Sequence, residues 1–139
     1  YIDLVPNSNK RSIIYFENNG IKISPINGNI IECVADVRLV CWANLKKIND
    51  TFINADILKL LVIQAMPSSL SNVLPYSFIR VQLTGEETKN VSIFSKYTYN
   101  EEEKQYLIYP FDYFALNYEI SFYVGKNCID PILISPAVC

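Results

Sequence analysis

Four cysteines are the first residues in this chain that could carry chemistry: Cys33, Cys41, Cys128 and Cys139. Four cysteines allow three disulfide pairings, and the sequence alone does not choose among them. Cys33 and Cys41 belong to a segment that reads as continuous strand, where they would lie roughly 26 Å apart at about 3.3 Å per residue. A disulfide cannot bridge that distance unless the segment turns back. We therefore favour two crosslinks, each joining an N-terminal cysteine to a C-terminal one.

Two other roles for the cysteines are open. Free cysteine is among the most buried residue types, so all four could be reduced core thiols. A zinc site is poorly supported, because the chain has no histidine and no Cys-x-x-Cys pair. We expect no metal and no cofactor.

The lack of histidine also removes the commonest catalytic machinery. Ser-His-Asp, Cys-His and zinc-hydrolase sites all need an imidazole. Four glycines leave little material for a phosphate-binding loop. A pair of carboxylates could act as acid and base, but the conspicuous ones, Glu86, Glu87 and the run 101–103, fall in segments that read as solvated loops. We expect that the protein is not an enzyme.

The composition is that of a globular chain built mainly of strands. Half of the 139 residues are apolar and 19% are charged, which is typical of a folded domain. Ten Tyr and seven Phe favour strands, because aromatic side chains pack well on a pleated surface. A net charge of −2 without a basic patch argues against nucleic acid as a partner.

Turn signals such as those at 18–20, 27–29 and 84–86 divide the chain into short strand-like segments. The predicted strands are 12–16, 21–24, 30–43, 57–65, 76–83, 91–99, 105–109, 118–124 and 131–135. This spacing predicts an all-β fold, an antiparallel β-sandwich of about eight strands with at most short helical turns.

Three segments are less regular than the rest. The run 57–65 is nearly all apolar, and we read it as a central strand, with a buried helix as the alternative. Segments 68–74 and 112–116 are read as short helical turns. Without a linker or an internal repeat, residues 1–139 form one predicted domain, with a lead-in arm at 1–11.

Several segments follow one another in the order found in a known family. They are Leu58-Lys-Leu-Leu-Val-Ile-Gln-Ala65, Leu74-Pro-Tyr-Ser-Phe-Ile-Arg-Val-Gln-Leu83, Lys96-Tyr-Thr-Tyr-Asn100, the strand 118–124, and Gly125-Lys126 followed by 132–136. Over about 57–136 the chain weakly resembles a C2 domain, an antiparallel sandwich that docks on membranes. Calcium-binding C2 domains hold the ion with several loop aspartates, and this chain has Leu74 and Gly125 at two of those positions. The resemblance therefore implies a calcium-independent C2-like domain.

Two N-glycosylation sequons begin at Asn49 and Asn90. Together with disulfide bonds they would fit a secreted or cell-surface glycoprotein. The chain starts at Tyr1 rather than Met, so we expect a processed mature chain or an excised domain. Its Asn, Ile and Tyr usage suits an AT-rich genome, which is compatible with a surface or secreted protein of a pathogen.

Exposed apolar and aromatic side chains are the candidate binding residues. Tyr97, Tyr99 and Tyr113 belong to a tyrosine-rich second half, and tyrosine is enriched in protein interfaces. The alternative is that these tyrosines line the core. Val73 and Leu74 on a loop tip would insert into a membrane or a partner, or pack under the loop.

Two functional hypotheses follow from these residues. The first is a non-catalytic extracellular or cell-surface domain that binds a protein partner, and it predicts disulfides and an occupied sequon. The second is a cytoplasmic, membrane-peripheral C2-like module that docks on membrane lipid or a protein, and it predicts four reduced thiols.

Overall fold

The fold is taken from a computed structural model, which describes residues 6–48, 54–71, 78–88, 91–94 and 107–125. Within these ranges the elements are β1 (Ser12–Asn27), β2 (Ile30–Asn44), α1 (Ala55–Ala65), β3 (Ser69–Ser71), β4 (Phe78–Thr88) and β5 (Phe111–Gly125), with 3-10 turns at Leu45–Lys47 and Val91–Phe94. The five described strands form one sheet in the order β1-β2-β5-β4-β3.

The prediction of a β-dominated chain is confirmed. Strands make up 63% of the described residues and form a mostly antiparallel sheet. The expectation of at most short helical turns is wrong, because α1 is 11 residues long. The described ranges hold five strands in one sheet, so a sandwich of about eight strands stays a prediction.

The segment 57–65, expected to be a central strand, lies inside α1. The Asn54 side chain caps the helix by accepting a hydrogen bond from the Ile57 amide at 2.9 Å, and Asp56 in the first turn complements the helix dipole. Pro67 follows the C-cap Met66 and stops the helix. No residue of α1 is fully buried, so it is not the buried helix of the alternative either. The piece that resembles the opening strand of a C2 domain is therefore helical.

Strand β1 continues through positions 18–20, where a hairpin turn was expected. Gly20 has a φ of +136°, and the Asn18 side chain accepts a hydrogen bond from the Gly20 amide at 2.9 Å. Asn18 and Gly20 therefore produce a local distortion of the backbone inside one long strand, and the chain does not turn back there. The second signal is correct, since Gly28 and Asn29 form the turn that joins β1 to β2.

Several predicted elements differ in type or in bounds from the observed ones, because tertiary packing outweighs the local conformational preference of the sequence. The segment 112–116, read as a helical turn, lies in β5, where four consecutive residues, 113–116, are buried. The expected turn at 84–86 lies within β4, and the expected helical turn at 68–74 contains β3.

Residues Val91–Phe94 form a 3-10 turn rather than a strand. The strands predicted at 30–43 and 118–124 are confirmed as parts of β2 and β5.

The chain divides into two compact units. The first unit comprises residues 1–17, 38–66 and 85–117, and the second comprises 18–37, 67–84 and 118–139. That residues 1–139 form one domain stays a prediction.

The first unit has an aromatic core. Its buried cluster contains Ile13, Val40, Trp42, Ile93, Phe94, Tyr113 and Ala115. The Trp42 ring stacks on Phe111 with 5.2 Å between centroids, and Phe94 packs on Tyr113 at 5.7 Å. The described part of the lead-in arm is tied to this unit, because the Lys47 ammonium donates to the Asn9 carbonyl at 3.0 Å.

The second unit is smaller in its described part. Strand β3 pairs antiparallel with β4, with Ser69 opposite Arg80 and Ser71 opposite Phe78. Its buried apolar residues include Cys33 and Ala35 of β2. These two alternate with half-buried neighbours, as a strand with one covered face requires.

Candidate binding site

A short turn at 107–110, in the first unit, presents two large apolar side chains to solvent. Ile108 is 68% exposed and Tyr109 is 78% exposed. The turn is closed by a hydrogen bond from the Phe111 amide to the Ile108 carbonyl at 3.0 Å. Leu107 packs against the aromatic core on one side, and Phe111 stacks on Trp42 on the other. The exposed pair therefore stands on a turn whose two flanks are fixed.

The 3-10 turn Leu45–Lys47 holds the other side of this loop. The Leu45 amide donates a hydrogen bond to the Pro110 carbonyl at 3.0 Å. A cavity of about 370 Å³ lies here, which we call the apolar cavity. Its lining residues are Leu45, Leu107, Ile108, Tyr109, Phe111, Asp112 and Tyr113. Asp112 is the one charged side chain of that lining, so the cavity suits an apolar group with a polar neighbour.

A second cavity of about 330 Å³, the charged cavity, adjoins the start of α1. It is lined by Asn54, Ala55, Asp56, Lys59, Thr88, Asp112, Tyr113 and Phe114. Asp112 and Tyr113 line both cavities. The two cavities therefore meet at the beginning of β5.

Lys59 is held at the charged cavity by carboxylates. Its ammonium lies 2.9 Å from a Glu86 oxygen and 3.6 Å from an Asp56 oxygen, and its side chain is 14% exposed. The hydrogen bond with Glu86 is the largest influence and raises the Lys59 pKa, against a smaller effect of burial. Counting Asp112, this region has two formal negative charges in excess. Its charge favours a cation over an anion.

A partly buried row of polar and charged residues, which we call the charged row, crosses four strands of the same unit. It consists of Glu17 on β1, Arg38 on β2, Asn117 on β5 and Glu87 on β4. The Arg38 guanidinium donates to Glu87 at 2.9 Å and lies 3.6 Å from Glu17, and the Asn117 amide donates to Glu87 at 3.4 Å. Glu86 and Glu87 therefore lie on β4 rather than in a loop. We assign the row to ordering the sheet, because each charge has an opposite partner within it.

The predicted site residues that the structure describes are all buried. Tyr113 is 5% exposed and packs on Phe94, so its ring belongs to the core, while it also lines both cavities. Cys33 and Cys41 are buried in β2, and no disulfide joins the two described cysteines. Burial raises the pKa of the Cys41 thiol to about 12, which keeps the thiol protonated and unreactive.

The other predicted site residues lie outside the described ranges: Asn49, Val73, Leu74, Asn90, Tyr97, Tyr99, Cys128 and Cys139. The expected crosslinks to the C-terminal cysteines therefore stay a prediction. So do glycosylation at the two sequons and binding by the loop and tyrosine candidates.

Of the residues that line the two cavities, Tyr113 was predicted from the sequence as a binding residue, and the others were not. Ile108 and Tyr109 directly precede Pro110, and a proline is a sequence signal for a turn or the end of an element, but not for the exposure of the residues before it. Lys59 is the single charged residue of the segment 57–65, which the sequence predicts as a strand. Its pairing with Glu86 required the helix and β4 to be brought together, which no local pattern encodes.

No helix within the described ranges is long and apolar enough to cross a membrane. The same residues contain no group of three or more potential metal ligands. The chain matches no protein-family model, no curated protein and no solved structure.

Proposed function

We propose that this protein is a non-catalytic binding domain that contacts a protein partner through the turn at 107–110. The observation that supports this most is the exposure of Ile108 and Tyr109 on a turn whose flanks are packed in the core. Fully burying such side chains is worth about 1.5–3 kcal/mol each. A partner that covers them gains this energy without having to order the turn first.

Tyrosine supports a protein partner in particular. Its ring offers a large contact area with few rotatable bonds, and its hydroxyl can be hydrogen-bonded by a polar partner. The adjoining apolar cavity supplies a recess in which a partner side chain can be enclosed. Contacts of this kind, an aromatic residue beside a pocket, dominate the binding energy of many interfaces.

A displayed library of random peptides tests this proposal. We expect selection on the wild-type protein to enrich peptides that bind the double variant Ile108→Ser, Tyr109→Ser at least tenfold more weakly. The matched control is Ile14→Ser, Phe16→Ser, which removes two exposed apolar side chains from β1 of the same unit. Thermal unfolding checks that both variants are folded. Failure to enrich any peptide, or equal loss in the control, would contradict the proposal.

Membrane lipid is the other candidate ligand of the turn at 107–110. Lys46 is exposed on the 3-10 turn beside the loop, and an aromatic residue next to a lysine is typical of membrane interfaces. Sedimentation with phosphatidylcholine and phosphatidylserine vesicles distinguishes the two. Turn-dependent binding to vesicles without peptide binding would favour the C2-like hypothesis.

We also propose an extracellular or cell-surface location, supported by the two sequons and four cysteines. The test is the intact mass of the denatured, unreduced protein after thiol alkylation, using protein made in a eukaryotic secretory host. We expect no alkyl groups and added glycan mass. Four alkyl groups without glycan would overturn this location.

The sandwich architecture is a further part of the proposal. It is supported by the burial of four consecutive residues of β5, 113–116, because alternate side chains point to opposite faces and both faces must then be covered. An experimental structure with a single sheet and no second layer would contradict it.

A further inference from the structure

The two cavities of the first unit share a wall. Asp112 and Tyr113 line both of them, and the exposed turn residues Ile108 and Tyr109 line the apolar one. A chain that lies on the turn therefore has the shared wall, Asp112 and Tyr113, close to it. The chemistry of the second cavity then restricts which partners fit.

We infer that the partner presents an apolar side chain next to a basic one, Lys or Arg. This inference rests on the proposed function, since it names the partner of the same turn. The apolar side chain occupies the apolar cavity against Tyr109, and the basic group enters the charged cavity and pairs with Asp112. Arginine suits this role well, because its planar guanidinium binds a carboxylate with two parallel hydrogen bonds.

An acidic partner fits the charged cavity less well. The one cation there, Lys59, already bonds Glu86 at 2.9 Å and lies near Asp56. The beginning of α1 attracts anions only weakly, because Asp56 occupies its first turn and the Asn54 side chain already accepts from the Ile57 amide. The negative charges in excess would repel a carboxylate or phosphate.

Three matched sets of short synthetic peptides test the inference. Every set contains the same apolar residues, and the position beside them is Arg, Gln or Glu. We expect the Arg set to bind the wild-type protein most tightly and the Glu set most weakly, with the difference shrinking as salt is raised. Fluorescence anisotropy measures each affinity.

The variant Asp112→Asn tests whether the Asp112 carboxylate is the charge that favours the Arg set. The asparagine keeps a side-chain oxygen, so it can still accept the hydrogen bond that Asp112 receives from the Tyr113 amide at 2.9 Å. We expect this variant to bind the Arg set about two- to fivefold more weakly, as for a partly exposed ion pair, and the Gln set equally. The control Asp36→Asn removes a carboxylate that lines neither cavity, and we expect it to leave both affinities unchanged.

The outcomes separate the inference from the function on which it rests. Equal binding of the Arg and Gln sets, lost in the Ile108→Ser, Tyr109→Ser variant, would overturn the basic partner and leave the binding turn standing. Equal losses in Asp112→Asn and Asp36→Asn would also overturn it, because the effect would then be one of net charge. Binding of no peptide set, with binding to phosphatidylserine vesicles, would overturn both proposals.

Discussion

Arg38 shows how a single charged residue is tolerated inside the sheet of the first unit. Its side chain is 12% exposed and lies between Glu17, 2% exposed, and Glu87. Removing such charges from water costs several kcal/mol each, which mutual attraction repays only when partners are close. The charged row therefore adds little net stability, but its members depend strongly on one another.

We expect Arg38→Leu to lower the free energy of unfolding by about 3–5 kcal/mol, because it leaves the Glu17 carboxylate buried without its cation. Adding Glu17→Gln to this variant should recover part of the loss, since the more deeply buried of the two carboxylates then carries no charge. Urea denaturation of both single variants and the double variant measures the coupling. Simply additive losses would show that the two residues do not act as a pair.

At the scale of elements, the described residues contain long strands and a capped helix at several places where the sequence predicts short strands. Gly20 allows β1 to pass through positions 18–20 without turning back, because glycine adopts positive φ readily. Asn54 stabilises the start of α1 by capping its first turn. Gly20 therefore permits the long strand, and Asn54 supports a helix whose formation also depends on packing.

Gly20→Ala should destabilise the protein by about 1–2 kcal/mol, because a φ of +136° is strained for any residue with a Cβ. The matched control is Gly28→Ala. A Cβ at either glycine meets no atom within 4 Å, so the two sites differ in backbone conformation and not in space. Urea midpoints of the two variants are to be compared, and an equal cost at both would refute the role assigned to Gly20.

At the scale of the whole molecule, four groups among the described residues bind their protons more tightly in the folded protein. Burial raises the pKa of Cys41 from 9.0 to about 12 and also raises those of Tyr113 and Tyr118 above 10.0. The hydrogen bond with Glu86 raises the pKa of Lys59 above 10.5. Above the ordinary pKa of each group, the unfolded chain loses a proton that the folded chain retains, so unfolding becomes easier.

The stability that these four groups contribute should therefore be fully present well below pH 9 and fall as the pH rises through and above it. Between pH 9 and 10 Cys41 acts first, with a slope on the order of 1.4 kcal/mol per pH unit, and the other three groups add to it at higher pH. Urea denaturation of the reduced protein between pH 7 and 11 measures this. Cys41→Ala should flatten the first part of the curve, and a wild-type curve that is flat to pH 10 would contradict the argument.

Much of the fold could be predicted from local sequence. The β-dominated class, the turn at Gly28, the long strand β2 and the strand at 118–124 all follow from composition, alternation and turn chemistry. These features depend on interactions between residues that are close together along the chain, and such residues can be identified from the sequence. The absence of histidine is equally local, and it removes the imidazole that the commonest catalytic sites need.

The structure of 57–65 and 112–116 and the position of the site were decided only by tertiary packing. Apolar runs of this length are compatible with strand or helix, and the choice depends on what covers each face. Residues 113–116 are strand because both faces of the sheet are covered there, and Lys59 meets Glu86 because α1 packs near β4 within the first unit. A sequence determines which residues are apolar or charged. The folded chain determines which of them are covered, because burial depends on contacts between residues that are far apart in sequence.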